Sequence, residues 1–456
     1  MTTRLHSVLR LSALALVLSS SHSRAEAPAT DSTHAGSNAT PAPASAPFAF
    51  ADFSWVPGNA GASDRPLTAG PFTGEFRLDD VYHYEFSNPK DGTISGSSEV
   101  FRHGEFQVTQ LGIGGDILYK NVMGRLMTQF GMYSMTTPRN DASPGRGQWQ
   151  LDNAYRYISE AYGGYHIDRM HGINIQAGIF MSYIGLWSYY NADNWTYQPS
   201  YVSSNTPWFF NGMRIQFFPS DKLKIEPWLV NGWQSYGRFN DAPGGGGQIL
   251  WRPNGSFSVV GNQYIGKDTF GNSKRLRIHT DDSFMGKYYD HPGHRLDKAA
   301  WSLTLDAGGE SGGGVKYSSQ YFLGFMAYNR FWFAHDRWGL TVGGGAINNP
   351  GRYLVLMPPI NGATALSGAP AYFSANPGDP FKAWDMQVAT DYSPQPYVTF
   401  RLEYNHRQAN VPYFSGRDGV TPPGGNQGAP GSSVDNWTPD LVKAENRLSL
   451  ALLVKM

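Results

Sequence analysis

The clearest pattern in the chain is a strict alternation of apolar and polar positions over residues 397–407. Phe400 and Leu402 fall on one face of an extended segment, whereas Arg401 and Glu403 fall on the other. Successive side chains of a β-strand point to opposite sides, so a period of two predicts a strand with one apolar and one polar face. The same alternation recurs in three further segments: 72–86, 383–392 and 447–456.

Segments of this kind fill the chain from Phe72 onward and predict an all-β fold. We expect the strands at 72–86, 104–119, 122–134, 154–168, 172–184, 207–218, 222–234, 246–252, 256–266, 275–289, 299–308, 315–334, 338–347, 381–392, 396–408 and 446–456. Short turns alternate with long connections, and the long ones include 88–103, 135–153, 185–206, 348–380 and 409–445. Roughly 16 antiparallel strands (14–18), with short turns at one end and long loops at the other, predict a transmembrane up-and-down β-barrel.

The charged residues of the alternating segments must then face the inside of the barrel. Charge in the hydrocarbon of a bilayer costs several kcal/mol per residue, so lipid selects the apolar face. With roughly 16 strands the lumen is too wide for wall side chains to fill, and we expect it to hold water. The residues predicted to line this pore are Glu75, Arg77, Asp79, Arg125, Glu160, Asp385, Arg401 and Glu403.

The N-terminus has the pattern of a secretory signal peptide. Arg4 and Arg10 precede and flank a short apolar run at 11–18, and Ser23-Arg24-Ala25 provides small residues at a cleavage site. A barrel that follows a signal peptide is expected in the bacterial outer membrane. The predicted division is a signal peptide at 1–25, a disordered Ala/Pro/Ser-rich segment at 26–70 and the barrel at 71–456.

Composition excludes several other classes of protein. The formal net charge is zero, and loss of the signal peptide removes three arginines and no acid, which disfavours nucleic-acid binding. The chain has no cysteine, so it has neither disulfides nor thiol chemistry. No later segment approaches 18 consecutive apolar residues, which excludes a helical membrane protein. The 14% of aromatic residues and the 53 glycines are typical of a β-rich chain with many turns.

Several short motifs resemble the OmpL-like β-barrel porin-2 family. They are structural and loop motifs: YVSSNTP at 201–207, SDKL at 220–223, VNGW at 230–233 and HTDDS at 279–283. The resemblance covers residues 70–456 and implies an outer-membrane channel of undefined substrate. The chain ends on Met456, whereas such barrels often end on an aromatic residue, and this departure concerns how the barrel assembly machinery reads the last strand.

The carboxylates and histidines do not predict catalysis. Asp79 and Asp80, like Asp281 and Asp282, are sequence neighbours, so in a strand the two members of each pair point to opposite faces and cannot form an acid/base couple. Two histidines and two aspartates in 290–297 surround a Pro-Gly turn, which favours a solvated turn over a metal site. We expect no enzyme activity, no metal and no cofactor; a barrel hydrolase is the least favoured alternative.

Aromatic residues crowd the long connection 185–206. They include Trp187, Tyr189, Trp195 and Tyr197. One interpretation is a loop folded into the lumen, where these rings stack on sugars or other planar solutes. The other is an interfacial girdle combined with loop packing. The sequence leaves both open.

The favoured function is a passive diffusion channel for small hydrophilic solutes, with weak charge selectivity. We expect Arg401 to lie near Asp385 or Gln387, so that loss of its charge shifts permeation towards cations. The alternative is a structural or adhesive surface barrel with a plugged lumen, whose long loops bind a partner. The expected partners are outer-membrane lipid and lipopolysaccharide, small hydrophilic solutes and the barrel assembly machinery; assembly with further copies is left open.

Overall fold

A computed structural model describes residues 46–60, 65–97, 99–350, 380–425 and 436–456. Within these ranges sixteen long antiparallel strands close into one barrel, as the alternation predicts. The strands are β1 (Phe72–Glu85), β2 (Phe106–Tyr119), β3 (Val122–Thr128), β4 (Ile158–Ile167), β5 (Ile173–Met181), β6 (Phe209–Ser220), β7 (Leu223–Val230), β8 (Gly244–Asn254), β9 (Phe257–Gly266), β10 (Leu276–Asp290), β11 (Leu296–Ser311), β12 (Tyr321–Phe333), β13 (Trp338–Asn349), β14 (Phe381–Gln395), β15 (Val398–Ala409) and β16 (Ala444–Lys455). The predicted signal peptide lies outside the described residues.

Each strand pairs with the next, and β16 returns to β1 to close the barrel, with Arg447 opposite Glu85. Short and long connections alternate around the ring, so one end of the barrel carries tight turns and the other carries the long loops. The third strand ends at Thr128 instead of continuing to residue 134. Gly131, with a φ of 98°, turns the chain out of the ladder there and into a short helix, Tyr133–Thr136.

The register of the β14–β15 hairpin differs from the prediction for Arg401. Arg401 lies opposite Asp391, whereas Asp385 pairs with Arg407. Gln395 pairs with Val398 across the two-residue turn, and an irregularity between Tyr392 and Gln395 sets the register of the rest of the ladder. The prediction that Arg401 faces Asp385 or Gln387 is therefore wrong.

The two faces of the wall separate as predicted. On β15 the outward side chains of Phe400 and Leu402 are 44% and 53% exposed, while the inward Arg401 and Glu403 are 2% and 0% exposed. Other large apolar side chains point outward around the ring, among them Phe72, Ile113, Leu126, Ile225, Leu305, Phe325, Val342 and Leu450. An apolar belt of this kind matches a lipid surround, so the barrel is embedded in a membrane. No helix in the described ranges is long and apolar enough to cross a membrane.

Residues 46–60 pack against the short-turn end of the barrel, which differs from the disorder expected over 26–70. The backbone N–H of Phe48 donates to the carbonyl of Asp221 at 2.8 Å, and the indole of Trp55 donates to the carbonyl of Gly255 at 3.2 Å. Phe53 and Trp55 are buried in the main aromatic core. These rings supply the apolar surface that the Ala/Pro/Ser-rich part of the segment lacks. We call residues 46–60 the N-terminal segment.

The face assignment predicts unequal effects of two arginine substitutions on β15. Leu402→Arg places a charge in the lipid belt at a cost of roughly 2–4 kcal/mol near the bilayer midplane. Thr399→Arg points inward near the short-turn end, so it should reduce folding yield much less. The yield of folded barrel in lipid vesicles measures both variants, and equal yields would contradict the assignment of the two faces.

Candidate functional site: the barrel lumen

The connection between β5 and β6, residues 182–208, folds into the lumen. We call it the inserted segment. Its ends continue the β5–β6 ladder, with the N–H of Ser182 donating to the carbonyl of Trp208 at 3.0 Å. Gly185, with a φ of 99°, turns the chain inward against Thr206. Almost every residue between them is buried. A loop therefore occupies part of the lumen that was expected to hold water, in space that the wall side chains do not fill.

Wall carboxylates hold the inserted segment by accepting its hydrogen bonds. Glu403 accepts from the backbone N–H groups of Tyr197 at 2.5 Å and Gln198 at 3.0 Å. Asp385 accepts from the N–H of Tyr201 at 2.9 Å and from the hydroxyl of Ser200 at 3.0 Å. Charge-assisted bonds of this type are about twice as strong as neutral ones. These two carboxylates thus fix the stretch that leads into the short helix Tyr201–Ser204.

A third carboxylate, Asp79, binds side chains of the inserted segment. It accepts from the amide of Asn191 at 2.7 Å and from the hydroxyl of Tyr197 at 3.0 Å. Burial, and next the nearby charge of Asp79, raise the pKa of Tyr197 well above its ordinary value. The phenol therefore stays protonated and remains a donor to Asp79.

Positively charged wall residues also bind the inserted segment. Arg401 donates to the carbonyls of Asn191 at 3.2 Å and Asn194 at 2.7 Å, while it forms an ion pair with Asp391 at 2.7 Å. Arg77 approaches Asp193 of the inserted segment at 3.1 Å. The inner wall therefore presents both signs of charge, and each sign has a partner on the segment.

The remaining predicted wall residues form one charged cluster. Arg125 forms ion pairs with Glu75 at 3.0 Å, with Glu160 at 2.9 Å and with Asp116 at 2.9 Å. The hydroxyl of Tyr190, from the inserted segment, donates to Glu160 at 2.8 Å. All eight residues predicted to line a pore thus lie on the inner wall; that they govern permeation stays a prediction.

The four aromatic residues singled out in 185–206 are all buried inside the barrel. Trp187 packs against Tyr328 with ring centroids 4.7 Å apart, and Trp195 meets Trp332 edge-on at 5.7 Å. Tyr189 packs against Trp208 in the same way as Tyr197 does against His83. The interpretation of a loop folded into the lumen is therefore the one that the structure supports. Contact of these rings with solutes stays a prediction.

The N-terminal segment meets the inserted segment inside the short-turn end. The indole of Trp195 donates to the carbonyl of Trp55 at 3.1 Å, and the N–H of Ala60 donates to the carbonyl of Asp193 at 3.1 Å. Sequence analysis missed this contact. The sequence feature that could have indicated this contact is the aromatic run FAFADFSW at 48–55, which is unusual for a disordered segment.

Open space remains beside the two segments. One cavity is lined by charged groups that include Arg77, Arg125, Glu160 and Lys455, together with Gly58 of the N-terminal segment. A second cavity lies between the inserted segment and the long-loop end and is lined by aromatic and polar groups. Among the described residues, no group of three or more His, Asp or Glu side chains could hold a metal ion.

A barrel of sixteen strands with an apolar outside and a charged inside has the architecture of porins. The chain belongs to the family described as "Putative beta-barrel porin-2, OmpL-like", whose model matches residues 72–429. A comparison with curated protein sequences finds no match.

The chain is similar to solved outer-membrane structures at low sequence identity. The outer membrane channel DcaP of Acinetobacter baumannii is 11% identical, with 84% of this chain and 97% of that chain covered and a TM-score of 0.48. Pseudomonas putida OprB is 10% identical, with 84% and 94% covered and a TM-score of 0.49. An anion-selective porin from Comamonas acidovorans is 7% identical, with 84% and 99% covered and a TM-score of 0.46.

Proposed function

We propose that the protein is a passive diffusion channel for small hydrophilic solutes in the bacterial outer membrane. One observation carries the proposal: charged and polar side chains from many strands face the inside of a barrel whose outside is apolar. Membership of the porin-2 family and the signal peptide expected at the N-terminus support the same function and location.

The inserted segment makes this a narrow channel. Solutes would pass through the charged cavity beside Arg77 and Arg125, where ion pairs of both signs offer donors and acceptors without strong selection for one charge. The hydrogen bonds that the segment donates to Glu403 and Asp385 hold it in the path. The channel would thus favour small solutes.

A second candidate is a surface barrel that binds a partner through its long loops. The observation that favours it is the filling of the lumen by the inserted and N-terminal segments. This candidate requires no passage of solute at all, so solute flux separates the two functions.

Release of sugars from lipid vesicles tests the proposal. Vesicles that contain the folded mature protein should release small uncharged sugars faster than vesicles that contain the same protein reconstituted without folding. Release should fall steeply as the sugar grows, because the inserted segment leaves little free cross-section. A folded barrel that releases no solute of any size would favour the partner-binding candidate.

A further inference from the structure

The outer face of the barrel carries a row of hydrogen-bonded polar side chains inside its apolar belt. Gln263 on β9 lies directly opposite Thr280 on β10, and Asp282 follows two residues later on β10. Their sequence neighbours Asn262, Tyr264 and Asp281 are buried in the lumen, so alternation points these three side chains outward. We call Gln263, Thr280 and Asp282 the outer polar row.

The outer polar row forms one chain of hydrogen bonds. The amide of Gln263 donates to the hydroxyl of Thr280, and that hydroxyl donates to Asp282 at 2.9 Å. Outward Ile265 and Ile278, 47% and 40% exposed, flank the row towards the long-loop end. The row therefore lies within the belt that faces hydrocarbon, where polar groups are costly and commonly mark sites of contact or function.

Small residues flank several sides of the outer polar row, while Leu305 lies opposite Asp282 on β11 and Asp282 is 9% exposed. Gly247 lies opposite Gln263 on β8, Ala307 lies opposite Thr280 on β11, and Gly261 lies opposite Asp282 on β9. Gln263 itself is half-exposed. Small neighbours allow a second protein surface to approach closely in a membrane, and polar side chains then join the two surfaces.

The chemistry of Gln263 indicates which surface that is. A primary amide has two N–H donors and a carbonyl acceptor. One N–H is used by Thr280, which leaves the other N–H and the carbonyl free to pair reciprocally with an identical amide. Reciprocal pairing of this kind requires a two-fold axis, and two-fold contacts are the commonest in homo-oligomers. Lipid tails offer neither a donor nor an acceptor at this depth.

We propose that two copies of this chain associate in the membrane through the outer polar row, with Gln263 of each copy paired across a two-fold axis. Thr280 and Asp282 orient the Gln263 amide, and the flanking glycines and alanine set the close approach of the two walls. The contact is independent of whether the lumen conducts solutes.

Cross-linking through single cysteines tests this contact cleanly because the natural chain contains none. Ile265→Cys places the cysteine two residues from Gln263 on the same outward face and leaves the Gln263 amide in place. Expressed in cells and treated in isolated membranes with a short bis-maleimide, this variant should yield a species with the mass of two copies. Asp80→Cys is the matched control. Asp80 is another outward aspartate in mid-strand, on β1, but it lies opposite the apolar Val108 and Leu452 and belongs to no such row.

The control should stay at the mass of one copy. In detergent, Gln263→Leu should lower the fraction of dimer seen by native mass spectrometry, whereas Asp80→Leu should leave it unchanged. The proposal is overturned if folded Ile265→Cys stays monomeric, if it is cross-linked to a protein of another mass, or if Asp80→Cys yields as much dimer.

Discussion

Removing residues 186–205, so that Gly185 is joined directly to Thr206, should raise the rate of sugar efflux from vesicles several-fold. The two joined residues already lie against each other, so the deletion closes a loop without stretching the chain. Barrel closure should survive, because the pairing of β5 with β6 up to Met181 and Phe209 lies outside the deleted part. Water then replaces the inserted segment between the charged walls.

A control variant shows whether the change in efflux is specific to the inserted segment or follows from altering any loop. Residues 147–149, exposed in the long connection between β3 and β4, can be replaced by Gly and Ser without touching the lumen. Efflux through this control should equal that of the natural chain. A folded deletion variant with unchanged efflux would show that the inserted segment does not limit passage.

Arg401→Gln should destabilise the barrel by about 3–5 kcal/mol, the usual cost of removing one partner from a buried ion pair. Among the described residues, the substitution leaves Asp391 paired with Arg330 alone, at 2.8 Å, and it frees the carbonyls of Asn191 and Asn194. Because Arg401 is 2% exposed, its first effect should be on stability and on the hold of the inserted segment. The shift towards cation permeation expected from sequence should appear only as that segment loosens.

Denaturant titration of the protein in lipid vesicles measures this loss of free energy of unfolding. Lys90→Gln is the comparison, because Lys90 and Asp418 form an ion pair that is largely exposed to solvent. Exposed ion pairs contribute little to stability, so this variant should unfold at the same denaturant concentration as the natural protein. An Arg401→Gln barrel as stable as the Lys90→Gln barrel would contradict the anchoring role of Arg401.

The barrel could be predicted from sequence because each strand carries its own signal. The alternation of Phe400, Arg401, Leu402 and Glu403 is local, and lipid on one side forces its interpretation. The pairing register was harder to predict from the sequence. Arg401 lies opposite Asp391 and not Asp385, and the irregularity near Tyr392 that sets this register is not indicated by any residue type. The alternation of apolar and polar residues thus determines which face of a strand points to lipid, whereas the exact pairing of residues between strands depends on turn geometry.

The contents of the lumen could not be predicted in the same way. Glu403 binds the backbone of Tyr197 across 206 residues of chain, and a backbone N–H leaves no trace in the sequence. The aromatic residues at 185–206 indicated an inward loop, but equally an interfacial girdle. The N-terminal segment was assigned from its Ala/Pro/Ser-rich part, although the rings of Phe53 and Trp55 provide the surface that packs.

Single-channel recording in a planar bilayer tests the central claim most directly: that this barrel is a channel narrowed by its own inserted segment. The natural mature chain should produce discrete conductance steps, smaller than those of the 186–205 deletion in the same salt. Selectivity between cations and anions should be weak, because Arg77, Arg125, Glu160 and Asp193 bring both signs of charge to the remaining cavity. Folded protein that shows no conductance steps, with the inserted segment present or deleted, would contradict the account.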